Sequence, residues 1–360
     1  MKKFNAHTQI LLLSSLAAVL LVGINSIPAF ATVGDVIETH NLDAVHPAAT
    51  VFCSIGVAFD GTSLYTTACF DPLIYTVDPL TGIGTGSFDP SIPEDPNAMA
   101  YDAKRNGLWI GTQTATGAGS ISSCTSTGVA IYFYDFDDAS TTLAFNVPSS
   151  LINPATGSDF QSFCFVDGLA YNENDATTSA DDEIWFSDDI TRDLAKFTTG
   201  GALITGYDAT TIDASLSSAS GLAIGGTNLY IGNNGGGDVF RADKNTNPLA
   251  FVDTFALSEE RTEDMECDPI TFAPIEVMWV RHTPQGVVAN NNLIAYEIEP
   301  NTCGLGGGDG GGEVVVGGSI IPIDASALLI AGAFTNAIWM APLLVGTAGI
   351  VAFYIKTRKN

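Results

Sequence analysis

A pair of short strands recurs four times along the chain, and this repeat limits the possible folds more than any other feature. Each copy has a small residue at its start, a polar turn, and a second strand centred on an aromatic residue. The copies begin at Gly56, Ala98, Gly168 and Gly221, and their aromatic residues are Tyr65, Trp109, Trp185 and Tyr230. Two further β-rich runs follow each pair, for instance LIYTVD and AIYFYD as third strands. Four antiparallel strands repeated in tandem are typical of β-propeller blades.

A fifth unit is incomplete. It comprises EDMECD at Glu263, VMWVRH at Val277 and LIAYEIE at Leu293, and it stops after three strands. The segment GDVIETHNL at Gly34 has strand character and can supply the fourth strand, which we call the clasp, so that no sheet edge is left open where the ring closes. The prediction is an all-β propeller of five blades. A sixth blade in the insertions of the second and third units, or a β-sandwich without the ring, are the alternatives.

The repeated pattern of Gly, an apolar residue, Ala, an aromatic residue and Asp or Asn resembles the NHL, SMP-30/gluconolactonase and virginiamycin-lyase-like propellers. The resemblance covers residues 32–303 and implies a fold, with little information about function. The metal-dependent lactonases of this group use acidic and amide side chains around the central channel. None of those residues aligns with a particular position here, so no catalytic residue is transferred.

Residues 1–31 have the features of an export signal. Lys2 and Lys3 precede an uncharged apolar run, and Ala29-Phe30-Ala31 offers small residues where a signal peptidase would cut. The mature chain is therefore expected to begin near Thr32. An uncleaved membrane anchor is the alternative.

The C-terminal part of the chain predicts a membrane anchor. Residues 304–324 form a glycine-rich stalk, and residues 325–355 carry no charge over more than the ~20 residues that span a bilayer. Residues 356–360 are basic, which places this tip in the cytoplasm and the propeller outside. A buried helix of a soluble domain is the alternative. The expected location is the cell membrane, with a single span, or the tail is removed by a sorting enzyme.

The tail from Gly317 also resembles the shared C-terminal anchor of many archaeal secreted surface proteins. Pro-Ile-Asp, Ala-Leu-Leu, Thr-Asn-Ala-x-Trp-Met and the basic end stand in the same order. The resemblance implies an address in the cell envelope, with the propeller as the exported domain.

The strongly negative charge of the chain limits the kinds of partner that it can bind. The chain carries 40 acidic and 13 basic residues, for a net charge of −27, and five of the basic residues lie in the two terminal segments. Such a field disfavours nucleic acid and anionic lipid, whereas a cation, a glycan or an envelope protein remains possible. Solubility in a salty exterior would also explain the acidic excess.

Six cysteines lie in the exported part, where oxidation favours disulfides over a zinc site. Their positions in the blade repeat predict three bonds, each between cysteines at the same face of the ring. The pairs are Cys53–Cys69, Cys124–Cys164 and Cys267–Cys303.

One face of the ring collects oxygen-bearing side chains. Loops between second and third strands, and between successive blades, open on this face around the channel. The candidate calcium ligands there are Asp167, Asp188, Asp189, Asn233 and Glu263, with Asn234 and His282 nearby. Calcium takes about six to eight oxygens, although Asp and Asn are also common in turns that bind nothing.

Two functional classes remain open. The first is a non-catalytic binding or structural module on the cell surface. The second is a metal-dependent enzyme similar to the lactonases or lyases. The sequence has no nucleophile elbow, phosphate loop or His-Glu-x-x-His motif that would decide for an enzyme.

Overall fold

The computed structural model describes residues 32–46, 55–68, 71–113, 128–148, 150–157, 166–174, 178–188, 191–259, 261–282 and 291–304. These residues form five four-stranded antiparallel sheets, as the repeat predicts. The predicted signal, anchor and basic tip lie outside the described residues, as does the predicted stalk after its first residue, Gly304. Among those described, no helix is long and apolar enough to cross a membrane.

Four blades follow the chain order from the inner to the outer strand. Blade 1 comprises β2 (Val57–Phe59), β3 (Leu64–Thr67), β4 (Ile74–Val77) and β5 (Gly84–Phe88). Blade 2 comprises β6 (Asp95–Asp102), β7 (Gly107–Gln113), β8 (Val129–Asp135) and β9 (Ser140–Val147). Blade 3 comprises β10 (Gly168–Asn172), β11 (Glu183–Asp188), β12 (Asp193–Thr198) and β13 (Leu203–Asp208). Blade 4 comprises β14 (Leu222–Gly225), β15 (Asn228–Asn233), β16 (Asp238–Asp243) and β17 (Ala250–Ala256).

Blade 5 contains the clasp. Its strands are β18 (Met265–Asp268), β19 (Val277–His282), β20 (Asn292–Glu297) and, outermost, β1 (Val36–Asn41). The N-terminal strand β1 pairs antiparallel with β20, from Val36 opposite Tyr296 to Asn41 opposite Asn292. The first strand of each blade contacts those of the two adjacent blades, and β18 contacts β2, so the ring closes with five blades.

In blades 1, 2 and 5 an acidic residue at or just after the end of the first strand holds the aromatic residue of the second strand. Asp60 accepts hydrogen bonds from the backbone of the turn and, at 2.7 Å, from the Tyr65 hydroxyl. Asp102 bonds Trp109 Nε1 at 3.2 Å in the same way. Asp268 bonds Trp279 Nε1 at 2.9 Å. One carboxylate thus closes the turn and orients the aromatic side chain, and it does so although the two residues are 5, 7 and 11 positions apart in these blades.

The apolar core is divided among the five blade junctions. Each junction holds one cluster of buried side chains contributed by the two blades that meet there. At the junction of blades 5 and 1, Leu42, the last residue of the clasp, packs with Trp279 of blade 5 and Val57 of blade 1. The clasp therefore adds apolar contacts to the hydrogen bonds that it makes with β20.

The predicted disulfide Cys267–Cys303 is confirmed, with a Cα–Cα distance of 5.4 Å. It joins the inner strand β18 to the segment that follows β20. The other two predicted pairs contain Cys53, Cys69, Cys124 and Cys164, which lie outside the described residues.

Candidate functional site at the channel mouth

The inner strands surround the channel, and each has one edge that is not paired within its blade. We call the end of the channel where the first strands begin, and the second strands end, the mouth. Unpaired N–H groups on an inner edge need a partner, since burying them without one costs free energy. The structure supplies that partner from a single acidic residue.

Asp264 of blade 5 forms hydrogen bonds with three other blades. It directly precedes β18 and is fully buried. Its carboxylate accepts hydrogen bonds from the backbone N–H of Val57 at 3.2 Å, Met99 at 2.9 Å and Leu169 at 3.4 Å. These amides belong to the inner strands of blades 1, 2 and 3. Asp264 therefore connects blade 5 to the three blades across and beside it.

The pKa of Asp264 is raised well above the ordinary value for aspartic acid. Burial is the main cause, and the nearby charge of Glu266 adds to it, while the three backbone hydrogen bonds oppose it. The effect of burial therefore outweighs that of the three hydrogen bonds and favours the protonated acid.

Glu266 lies two residues further along the same strand, on the same side. It remains partly exposed, yet protein surrounds its carboxyl group closely enough that burial raises its pKa to about 8. Hydrogen bonds from the backbone of Cys267, Tyr101 and Phe59 lower that pKa, and the charge of Asp268 raises it. Two adjacent acidic groups thus bind the inner edges of blades 1 and 2.

Polar bonds link every pair of neighbouring blades near the mouth. Thr67 Oγ1 donates to Asn97 O at 3.0 Å, and Asn97 Nδ2 donates to Val166 O at 2.8 Å. Ser187 Oγ donates to Ser220 O, and Ser220 Oγ donates to Glu263 O at 3.4 Å. The bond between Asp264 and Val57 completes the set at the fifth junction. These bonds form a ring around the channel that holds the blades in register.

A buried cation lies at the junction of blades 5 and 1. The Arg281 guanidinium is fully buried and donates to Asn292 O at 2.7 Å and to Asn291 Oδ1. Burial lowers its pKa to about 10, and the charges of Glu263, Asp43 and Glu259 oppose the shift.

Two histidines beside the mouth are buried and poorly basic. His46 Nε2 lies 2.9 Å from Thr66 Oγ1, and burial together with the charge of Arg281 lowers its pKa to about 3. His282 lies 2.5 Å from Arg261 O through Nδ1 and 3.0 Å from the Tyr296 hydroxyl through Nε2, and burial lowers its pKa to about 4. A general base is most effective with a pKa near the working pH, so neither is suited to that role at neutral pH.

The predicted calcium ligands that the structure describes all lie at the mouth. Asp167 comes directly before the inner strand β10, Glu263 comes two residues before the inner strand β18, and Asp188 and Asn233 end second strands. All four are buried. Asp189 lies outside the described residues. Within the described part of the chain, no group of three or more His, Cys, Asp or Glu side chains is placed to hold a metal ion, and the calcium ring remains a prediction.

Several of these residues have partners within the protein. Asn233 Oδ1 accepts from the backbone N–H of Ser217 and Ser218, both at 3.1 Å. Asp188 Oδ2 accepts from Thr191 Oγ1. Glu263 Oε1 lies 2.9 Å from Arg261 Nε. The three side chains therefore already stabilise the loops and turns next to the mouth.

The most connected residue of the site, Asp264, was not among the predicted ligands, and neither was Glu266. A signal for both was present in the repeat. In register, Asp264 stands where other blades have Gly56, Gly168 and Gly221, and Glu266 stands where they have alanine. A carboxylate at a position that is otherwise small indicates a side chain that reaches into the channel.

Comparison with known proteins adds no family. No family model and no curated protein matches the chain. A glutaminyl cyclase from Myxococcus xanthus has 10% sequence identity and a TM-score of 0.46, covering 74% of this chain and 97% of that one. A luciferin-regenerating enzyme has 12% identity and a TM-score of 0.47, covering 74% and 98%.

A third solved structure, the calcium-binding protein regucalcin from Agrobacterium tumefaciens, has 14% identity and a TM-score of 0.45, covering 76% of this chain and 97% of that one. Identities this low, with TM-scores below 0.5, do not indicate which ligand or reaction this chain has. Its function has to be argued from its own residues.

Proposed function

We propose that this chain is a binding module exported to the cell surface, and that its channel is a structural centre with no catalytic role. The observation that carries the proposal is the bonding of Asp264. Its carboxylate accepts three backbone N–H groups from three blades. Inner-strand amides thus occupy three of the about four acceptor sites of this carboxylate, which leaves it little capacity to bind a metal ion or a substrate.

The electrostatics of the mouth support the same conclusion. Burial raises the pKa of Asp264 and of Glu266, which disfavours two free carboxylates side by side. The nearby histidines stay neutral and are weak bases. The acidic and basic groups of the described mouth therefore serve the folded structure better than proton transfer.

The sequence supports the location. A signal with an Ala-x-Ala site at residues 29–31, a glycine-rich stalk and an uncharged segment followed by a basic tip together predict export and retention at the membrane. Protease added to intact cells should cut the stalk and release a folded domain. Release of the full-length chain by high salt alone would contradict the anchor.

The alternative is a metal-dependent enzyme similar to a lactonase or lyase. It is favoured by the gathering of Asp167, Asp188 and Glu263 at one mouth. Such an enzyme would need an ion there, with calcium as the expected choice for oxygen ligands.

Elemental analysis of the purified full-length chain, combined with a screen for lactone hydrolysis, separates the two functions. The binding module predicts no stoichiometric metal and no hydrolysis above the buffer rate. One calcium or zinc ion per chain, together with hydrolysis that stops when a chelator is added, would establish the enzyme and overturn the proposal.

A further inference from the structure

We propose that a cleft between blades 4 and 5 binds a neutral sugar. This inference deepens the proposed function, since a glycan is one of the ligands open to a binding module on the cell surface. The cleft has a volume of about 310 Å³, which is at the small end of the range of ligand pockets, ~300–1,000 Å³. Its walls include Val33, Tyr230, Arg241, Asp253, Phe255 and Glu299.

The Tyr230 hydroxyl is the first sign of a ligand site. The side chain is only 1% exposed, and its hydroxyl makes no hydrogen bond of normal geometry with any described residue. Buried polar groups without a partner are rare and call for an explanation. Burial raises the pKa of Tyr230 to about 12, although Thr302 and Arg241 act against the shift, so the hydroxyl keeps its proton and can donate it to a ligand.

Comparison of the blades explains why the Tyr230 hydroxyl lacks a carboxylate acceptor. In blade 1 the equivalent residue, Tyr65, bonds the Asp60 carboxylate at the end of the first strand. Blade 4 has Gly225 at the position of Asp60. No side chain fits there, because a Cβ on Gly225 would lie 2.2 Å from Thr302 O and 2.7 Å from Cys303 Cα. The segment held by the Cys267–Cys303 disulfide occupies the space of the missing carboxylate.

Arg241 provides the second part of the site. It lies opposite Tyr230 in the ladder between β15 and β16 and is 6% exposed. Its guanidinium bonds Asp253 through Nε at 2.9 Å and through Nη2, and Nη2 also bonds Glu299. The two carboxylates are about half exposed, at 49% and 55% of their side chains. The cleft thus presents fixed hydrogen-bond donors and exposed acceptors next to each other.

This mixture selects for hydroxyl groups. A hydroxyl both donates and accepts, so a polyol can donate to Asp253 and Glu299 and accept from Tyr230 without breaking an ion pair. An anion would have to displace two carboxylates from Arg241 and approach a chain with a net charge of −27. A cation is disfavoured because it would lie beside the positively charged guanidinium of Arg241. Phe255 and Val33 add apolar surface for the C–H face of a sugar ring.

The test is a titration of the full-length chain with D-glucose, D-galactose, D-mannose and N-acetyl-D-glucosamine, in which ligand-observed NMR measures binding. At least one sugar should bind. Tyr230→Phe removes only the hydroxyl and should weaken binding by up to about tenfold, as expected for one lost hydrogen bond. Tyr65→Phe, at the same position of blade 1, is the matched control and should leave the affinity unchanged. Thermal unfolding of both variants checks that they fold.

Three results would overturn the inference. These are no binding of any of the four sugars, equal affinity in the wild type and Tyr230→Phe, or binding of phosphate or choline in place of sugar. The failure of the sugar site is distinct from failure of the proposed function, which depends on metal content and lactone hydrolysis. A chain that binds no sugar and holds no metal would remain a binding module with another ligand.

Discussion

The channel and the cleft between blades 4 and 5 both bury polar side chains, but they treat them differently. At the channel, Asp264 is completely buried and its carboxylate accepts three backbone N–H groups. In the cleft, Tyr230 is almost as deeply buried, and its hydroxyl makes no hydrogen bond of normal geometry with any residue that the structure describes. A buried polar group that is fully bonded stabilises the fold, whereas one left unbonded is costly unless a ligand completes it. The buried polar groups of the channel therefore stabilise the fold, and the cleft between blades 4 and 5 is the proposed binding site.

The clasp should have the largest effect, because the paired channel exists only in a closed ring. Deleting residues 34–42 removes β1 and Leu42, and thereby exposes β20 and part of the apolar junction between blades 5 and 1. We expect a loss of about 5 kcal/mol or more, comparable with the whole stability of a typical domain. Circular dichroism during urea unfolding measures it. Deleting residues 32–33 alone is the control, and an unchanged midpoint after the longer deletion would refute the clasp.

Asp264→Ala tests directly whether this side chain stabilises the channel. It leaves the N–H groups of Val57, Met99 and Leu169 without their acceptor, and we expect a loss of about 3–5 kcal/mol in the free energy of unfolding. Ser218→Ala is the control, since the buried Ser218 hydroxyl makes no hydrogen bond with any described residue, so its removal leaves no amide without an acceptor and should cost much less than Asp264→Ala. Equal effects of the two substitutions would show that Asp264 does not hold the ring together.

Removing the Cys267–Cys303 disulfide tests the segment that forms part of the cleft region. Cys267 and Cys303 are 36 residues apart, and the bond holds the segment that covers Gly225. The double variant Cys267→Ala, Cys303→Ala should lose about 3–4 kcal/mol by the chain-entropy model, measured by urea unfolding. The single variant Cys267→Ala should show one free thiol when titrated. A free thiol at Cys303 in the wild type, or an unchanged midpoint in the double variant, would contradict this role of the bond.

The smallest effect concerns pH. Because burial raises the pKa of Glu266 from 4.5 to about 8, the folded chain binds a proton that the unfolded chain has lost. Stability should therefore fall as pH rises through this range. His46 and His282 act in the opposite direction, since their pKa values are lowered from 6.5 to about 3 and about 4, but their effect ends near pH 6.5. Between about pH 6.5 and 8 the decline should be visible by urea unfolding, and Glu266→Gln should reduce it. A wild-type stability that rises over this interval would contradict the buried acid.

Much of the fold follows from the sequence because the repeat is a local pattern. The spacing of Asp60 and Tyr65 reflects a hydrogen bond within one hairpin, so each blade can be recognised from its own residues. The clasp could be predicted because blade 5 lacks a strand and one unassigned strand remains. The pairing of Cys267 with Cys303 follows from the same register.

The site is less accessible to sequence reasoning because it depends on contacts between blades. Register places Asp264 at a position where other blades have glycine or alanine, yet its partners belong to three inner strands that only the closed ring brings together. Likewise, the substitution of Gly225 for an acidic residue is visible in the sequence. That Thr302 and Cys303 fill the space instead is a property of the folded chain.

Hydrogen exchange at three backbone amides tests the central claim most directly. The N–H groups of Val57, Met99 and Leu169 lie on inner edges, where no further strand can bond them. If Asp264 accepts all three, their exchange should be as slow as that of amides inside the blades, and it should accelerate strongly in Asp264→Ala. Rapid exchange of these amides in the wild-type chain, or slow exchange that persists in Asp264→Ala, would contradict a channel held together by this carboxylate.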